Sequence, residues 1–353
     1  MFKKIIIGLG LVMFISCRHA PQQDFSLKWE TLPAIPDTIG FAGSYSGVAN
    51  DALVVAGGAN FPDGGAPWKG AKKVWHDDIF ILEKGDKAWK RVGHLPQAAG
   101  YGVSVTWKDG LIIAGGGNAS TNLAEVWYLR YQDKEITFQR MPDLPQPIAN
   151  ACGIVVSDVL YIMGGTTSPR ALSSAHNFWT LDLNQPNQGW QVLEAWPGPS
   201  RMLAVAAAVG EELFLFSGTQ LKEGKRTYLK DAYRYHSTRG WDRIAPLPQS
   251  VVAAPSPAYA YHQQLLIFGG DDGALANEQE PDLAQHPGFS KTIWAYDVEG
   301  DTWKEAGILP DFPAVTTPLV YWNHQLVIPG GEIKPSVRTP RVLAGTIVQK
   351  EQE

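Results

Sequence analysis

Cysteine is almost missing from this chain, with two in 353 residues. That scarcity excludes a disulfide scaffold, a cysteine-based zinc centre and CxxC redox chemistry. Charge is thin as well: 18% of residues are charged, the net charge is −5, and no run of Lys or Arg offers nucleic acid a footprint. The eight histidines are scattered, without the HExxH pair of a zinc hydrolase. The acid-rich stretch 271–291 lacks EF-hand spacing, so it reads as a mobile flap and not as a calcium loop. No metal and no cofactor is expected. Long apolar runs are also lacking apart from Ile5 to Ile15, which is too short to span a bilayer. What remains is a globular composition, 44% hydrophobic, with material for a large core.

That one apolar run has a distinctive setting. Lys3 and Lys4 precede it, and Ser16 followed by Cys17 closes it. It resembles a bacterial lipoprotein signal, which is cut before a Cys that is then lipidated. Phe14 stands where such signals usually carry Leu, and ordinary signal cleavage is the alternative. The expected layout is a signal peptide at 1–16, a tether at 17–25 and one domain at 26–353. Lipidated Cys17 would hold the protein at the outer membrane in the periplasm, with a soluble periplasmic or secreted form as the alternative. Membrane contact is expected through that anchor alone, and no protein partner is evident.

Glycine supplies the main signal. An apolar strand ending in a Gly doublet, or its remnant, recurs as "LVVAGG", "LIIAGG", "LYIMGG", "LFLFSG", "LLIFGG" and "LVIPGG", ending at Gly58, Gly116, Gly165, Gly218, Gly270 and Gly331. The spacings of 58, 49, 53, 52 and 61 residues match the kelch period of a β-propeller. An aromatic-to-Pro marker keeps the same beat at Trp29, Trp89, Phe138, Trp190, Trp241 and Trp303. Between them lie alternating segments such as "NFWTLDL" and "TIWAYDV", the pattern of half-buried strands. The predicted fold is all-β: a six-bladed kelch-type propeller. Its last repeat lacks an aromatic-Pro strand and its first segment lacks a repeat, so the N-terminal strand should close the last blade. Cys152, in "ACGIVV", reads as a small core residue.

In such blades the loop after the second strand and the lead-in to the next blade emerge on one face, so both ring one mouth of the channel. Many of these loops are small and neutral, so charged exceptions stand out. The segment "GGEIKPSVRT" breaks that rule with Glu332, Lys334 and Arg338. A carboxylate partly enclosed there suits acid–base work, and a nearby Arg fork suits a substrate carboxylate. Arg201, in "GPSRML", is a second candidate clamp. Asn60, Tyr101, Asn118 and Lys334, in the loops of the same mouth, are the further substrate-binding candidates. Spacing alone favours a solvated Glu–Lys–Arg cluster.

Three stretches carry a narrower resemblance: "GGANFPDGGAPWKGAKKVWHDDIFIL", "GYGVSVTWKDGLIIAGG" and "GGEIKPSVRT". Together they are similar to the N-acetylneuraminate epimerases, a family of sialic acid mutarotases. The resemblance implies that Glu332 and Arg338 are the catalytic pair and that an acidic sugar is exchanged between its α and β anomers without a cofactor. Blade order departs from the enterobacterial pattern and looks cyclically permuted. Ala99 stands where the related pattern has Arg, and the 271–291 loop is shorter than its counterpart. A non-catalytic kelch propeller binding glycan or protein, and a mutarotase for another sugar, are the alternatives.

Overall fold

A computed structural model of the chain describes residues 25–276, 280 and 282–349. Six four-stranded antiparallel sheets form the six blades of an all-β propeller, as the repeats predict. The first strands of the blades, Tyr45–Ala49, Val103–Trp107, Cys152–Val156, Val205–Val209, Tyr259–Tyr261 and Val320–Trp322, pack beside one another as the inner ring. In the sixth blade the order runs from Val320–Trp322 through Gln325–Pro329 and Val342–Gln349 to Phe25–Leu32, the other end of the chain. The register is unbroken from Phe25 opposite Gln349 to Leu32 opposite Val342. The first described strand begins at Phe25, one residue inside the expected tether. The signal segment 1–16 and Cys17 lie outside the described residues.

The core is not one body. It is divided into six apolar wedges, one between each pair of neighbouring blades, with a small seventh cluster of Val252, Ala253 and Val315 near the mouth. Each blade is therefore covered on both faces, and this is why the second strands read as continuous apolar runs. In Ala52–Ala56, Leu53 and Val55 pack towards the sixth blade while Val54 and Ala56 pack towards the second. The aromatic markers staple the outer rim. The indole N–H groups of Trp89, Trp190, Trp241 and Trp303 donate to carbonyls of Pro33, Pro142, Glu194 and Ala245, each in or beside the outer strand of the preceding blade. Phe138, in the second blade, has no N–H to give.

The doublets build the mouth. Gly330 and Gly331 have φ of 68° and 113°, a region that favours glycine, and Gly331 donates its N–H to Phe41 to link blade six to blade one. Just inside, six backbone hydrogen bonds close a circle around the axis. Gly43 donates to Thr316, Thr316 to Ala253, Ala253 to Leu203, Leu203 to Asn150, Asn150 to Tyr101 and Tyr101 to Gly43, at 2.7–2.8 Å. All six residues have φ between 52° and 67°. The residue before each circle member pairs with the residue after a doublet: Ala42 with Ala59, Gly100 with Gly117, Ala149 with Thr166, Met202 with Thr219, Val252 with Asp271, and Val315 with Glu332. The position after the doublet is thus one place presented six times.

Candidate active site

Glu332 owes its location to that repetition: its backbone is held by the same bridge that holds Ala59 or Gly117, and only the side chain differs. A short hairpin, Glu332–Lys334 with Val337–Arg338, then turns the chain back and sets Glu332 opposite Arg338. The Arg338 Nη2 stands 3.3 Å from Glu332 Oε2, and the Ser336 N–H donates to Oε1 at 2.8 Å. The carboxylate side chain keeps 17% of its surface and the arginine side chain 3%, so the guanidinium is the deeper of the two. Arg338 lies over the ring of Phe61, 4.7 Å from its centre, and its Nη2 donates to the Tyr101 hydroxyl at 3.4 Å. Its Nε and Nη1 are buried with no acceptor among the described residues. Burying unpaired donors on a charged group costs more than the roughly 1–3 kcal/mol of a neutral one, so an acceptor that met them would be held strongly.

Phe61 belongs to the first blade. There the strands Ala59–Asn60 and Val74–Trp75 pair as a small hairpin, and the loop between them returns Lys73 to the mouth. Lys73 Nζ donates to the Tyr101 hydroxyl at 3.3 Å and lies 4.8 Å from the centre of its ring. Gly43 leaves the room that Tyr101 fills, because a Cβ there would stand 2.5 Å from Tyr101 Cδ1. Three distant pieces of chain therefore meet at one point and bring together a carboxylate, a phenol and two cations over an aromatic wall. Such a group can take a proton, give a proton and hold an anion.

A family sequence model described as N-acetylneuraminate epimerase matches residues 16–138 and 141–286. The chain belongs to the N-acetylneuraminate epimerase family. It is 29% identical over 234 residues to the N-acetylneuraminate epimerase of Haemophilus influenzae (strain PittEE), covering 60% of each chain. Its identity to the enzyme of the same name from Yersinia pestis (strain Pestoides F) is 27% over 233 residues, covering 59% of this chain and 57% of that protein. The chain thus spans about three fifths of the length of the curated relatives it matches. The solved structure of YjhT is similar at 18% identity with a TM-score of 0.66, covering 90% of this chain and 99% of that one, a likeness of fold.

In this epimerase-family chain the structure brings Glu332, Arg338 and Tyr101 together and sends other expected residues elsewhere. Arg201 is a correction: it is 0% exposed, and its guanidinium donates to Asp231 Oδ2 and to the Ser217 carbonyl, both at 2.8 Å. It is further enclosed by the rings of Trp196 and Tyr233. The position two residues before the circle is an interblade packing site, filled by Phe41, Ala99, Ile148, Val251 and Ala314 in the other blades, so Arg201 is a core residue with its own counterion. Lys334 also leaves the group, its Nζ donating to the Leu283 carbonyl at 3.0 Å beside the ring of Phe312. Asn118 uses its side-chain oxygen to accept the N–H groups of Ser120 and Thr121 in its own turn. Asn60, 2% exposed, contacts His76 Nε2 through Oδ1 and supports the base of the hairpin that carries Lys73.

Lys73 and Phe61 were not singled out from the sequence. The available signal was their loop, "ANFPDGGAPWKGAKK", where an aromatic follows the doublet closely and a cation stands next to the returning strand. Cys152 is buried, its thiol pushed up to about 12 by desolvation, as a core cysteine should be. Among the described residues Asp77, Asp78 and His94 form one cluster of metal-ligand type, but Arg91 already occupies it, with Nε 2.6 Å from Asp78 Oδ1. Of the 271–291 loop, Asn277 to Gln279 and Pro281 lie outside the described residues, and the flap expectation falls partly on them. Among the described residues no helix is long and apolar enough to cross a membrane.

Proposed function

We propose that this chain interconverts the α and β anomers of N-acetylneuraminate by opening and reclosing the sugar ring. The observation that carries the reading is Arg338, a buried guanidinium with two unpartnered donors held 3.3 Å from an accessible carboxylate. The guanidinium takes the sugar's carboxylate, and this sets the anomeric carbon beside Glu332. Glu332 accepts the proton of the anomeric hydroxyl as the ring opens to the keto form. Rotation about the bond beside the carbonyl and reclosure on the other face, with return of the proton, give the other anomer. The family membership and the names of the relatives support this substrate. A chain break moved around the ring accounts for a sequence match limited to about 60% of each relative alongside a fold match covering 99% of the solved structure. The reading also takes Cys17 as a lipid anchor that keeps the protein in the periplasm.

Glu332→Gln preserves shape and removes the base. Anomer exchange of N-acetylneuraminate, followed by proton NMR, should fall at least about 100-fold while binding persists. Unchanged exchange in that variant removes Glu332 from the mechanism, and exchange of neutral aldoses but not of sialate by the native protein shifts the substrate.

A further inference from the structure

Ring opening at a hemiketal moves two protons: one leaves the anomeric hydroxyl and another must reach the ring oxygen as its bond to the same carbon breaks. Glu332 accounts for the first alone. Resting on the anomer-exchange reading, we infer that Tyr101 is the acid that protonates the departing ring oxygen.

A phenolic hydroxyl has one proton to donate and two lone pairs that accept. At Tyr101 both accepting directions are taken, by Lys73 Nζ at 3.3 Å and by Arg338 Nη2 at 3.4 Å. The hydroxyl's own proton has no acceptor among the described residues, although Tyr101 is partly exposed at the mouth. Two cations on the oxygen also stabilise the phenolate that remains once the proton has gone. Position agrees with chemistry: Arg338 Nη2 touches Glu332 Oε2 on one side and the Tyr101 oxygen on the other, so base and acid flank a single nitrogen. Their targets, the anomeric hydroxyl and the ring oxygen, are bonded to a single carbon. The main chain of Tyr101 is held at both its N–H and its carbonyl by the backbone circle, and its ring packs against Gly43 and Lys73.

The step balances. Glu332 takes the anomeric proton, the carbonyl forms, the bond pair of the breaking C–O bond goes to the ring oxygen, and that oxygen takes the Tyr101 proton. In reclosure the Tyr101 phenolate removes the proton from the attacking hydroxyl, and protonated Glu332 returns its own to the carbonyl oxygen.

Tyr101→Phe keeps the ring that packs against Gly43 and Lys73 and removes the hydroxyl, both its proton and the oxygen that accepts from Lys73 and Arg338. Catalysed exchange should fall about 100-fold or more, with sialate affinity by calorimetry within about threefold of the native protein. Native-like exchange in Tyr101→Phe overturns the inference. If the native protein exchanges no sialate at all, the underlying reading fails instead, and the two failures are distinct. Should Tyr101→Phe not fold, 3-fluorotyrosine placed at 101 preserves shape and makes the phenol more acidic. The alkaline limb of the exchange profile should then move to lower pH, and a profile that stays put also overturns the assignment.

Discussion

A methyl group added at Gly43 would lie 2.5 Å from Tyr101 Cδ1, on a residue whose φ of 67° already disfavours side chains. Gly210 has a φ of 58° but open space around it, so the pair separates backbone strain from collision. Gly210→Ala should cost about 1 kcal/mol by urea unfolding and leave exchange intact. Gly43→Ala should cost more, and should slow exchange at least about tenfold because it displaces Tyr101. Equal effects of the two variants would remove the collision argument. At Arg201 the pairing decides. Asp231→Asn leaves a fully buried guanidinium without a countercharge and should cost about 3–5 kcal/mol, whereas adding Arg201→Met removes the charge as well and should recover much of that loss. The folded double variant should retain the native KM for sialate, and a raised KM would return Arg201 to the site.

At the scale of elements, the blades were legible because their physics is local. A strand buried on both faces must be apolar throughout, as Ala52–Ala56 is, and a turn of two successive left-handed residues asks for glycine. Even the exception obeys, since Ser217 takes the first doublet place with a φ of 54° and uses its hydroxyl to accept the N–H of Val251. Glu332 was legible for the opposite reason, as a charge with Lys334 and Arg338 close behind it, where four equivalent places hold Ala59, Gly117, Thr166 and Thr219 and the fifth, Asp271, accepts from the Tyr228 hydroxyl at 2.6 Å. What could not be read depends on contacts between elements. Nothing near Arg201 in sequence announces Asp231, thirty residues on, so a buried ion pair reads as a surface clamp. Likewise Lys73 and Arg338 converge on Tyr101 only because blades one and six are neighbours in the closed ring.

For the whole molecule, an apolar core held mainly in six nearest-neighbour wedges means that the point where the chain is interrupted carries little energy. Phe25 and Gln349 stand opposite one another in the sixth blade, so a short hairpin linker can join them. The turn at Asp133 and Lys134 is exposed and lies between Val126–Gln132 and the outermost strand of blade two, Glu135–Met141. A chain joined at the first place and opened at the second would begin with Glu135–Met141, and that strand would close blade two from outside just as Phe25–Leu32 closes blade six. The hairpin carrying Glu332 and the loop carrying Lys73 keep their neighbours throughout. Such a permuted protein should unfold in urea at a midpoint near that of the native chain, since changing loop length costs only tenths of a kcal/mol to about one, and it should exchange sialate within about threefold of the native rate. A chain lacking residues 25–32 altogether should instead expose Val342–Gln349 as an open edge and aggregate. If the permuted chain aggregates in the same way, closure by this particular strand matters to folding beyond the pairing it supplies.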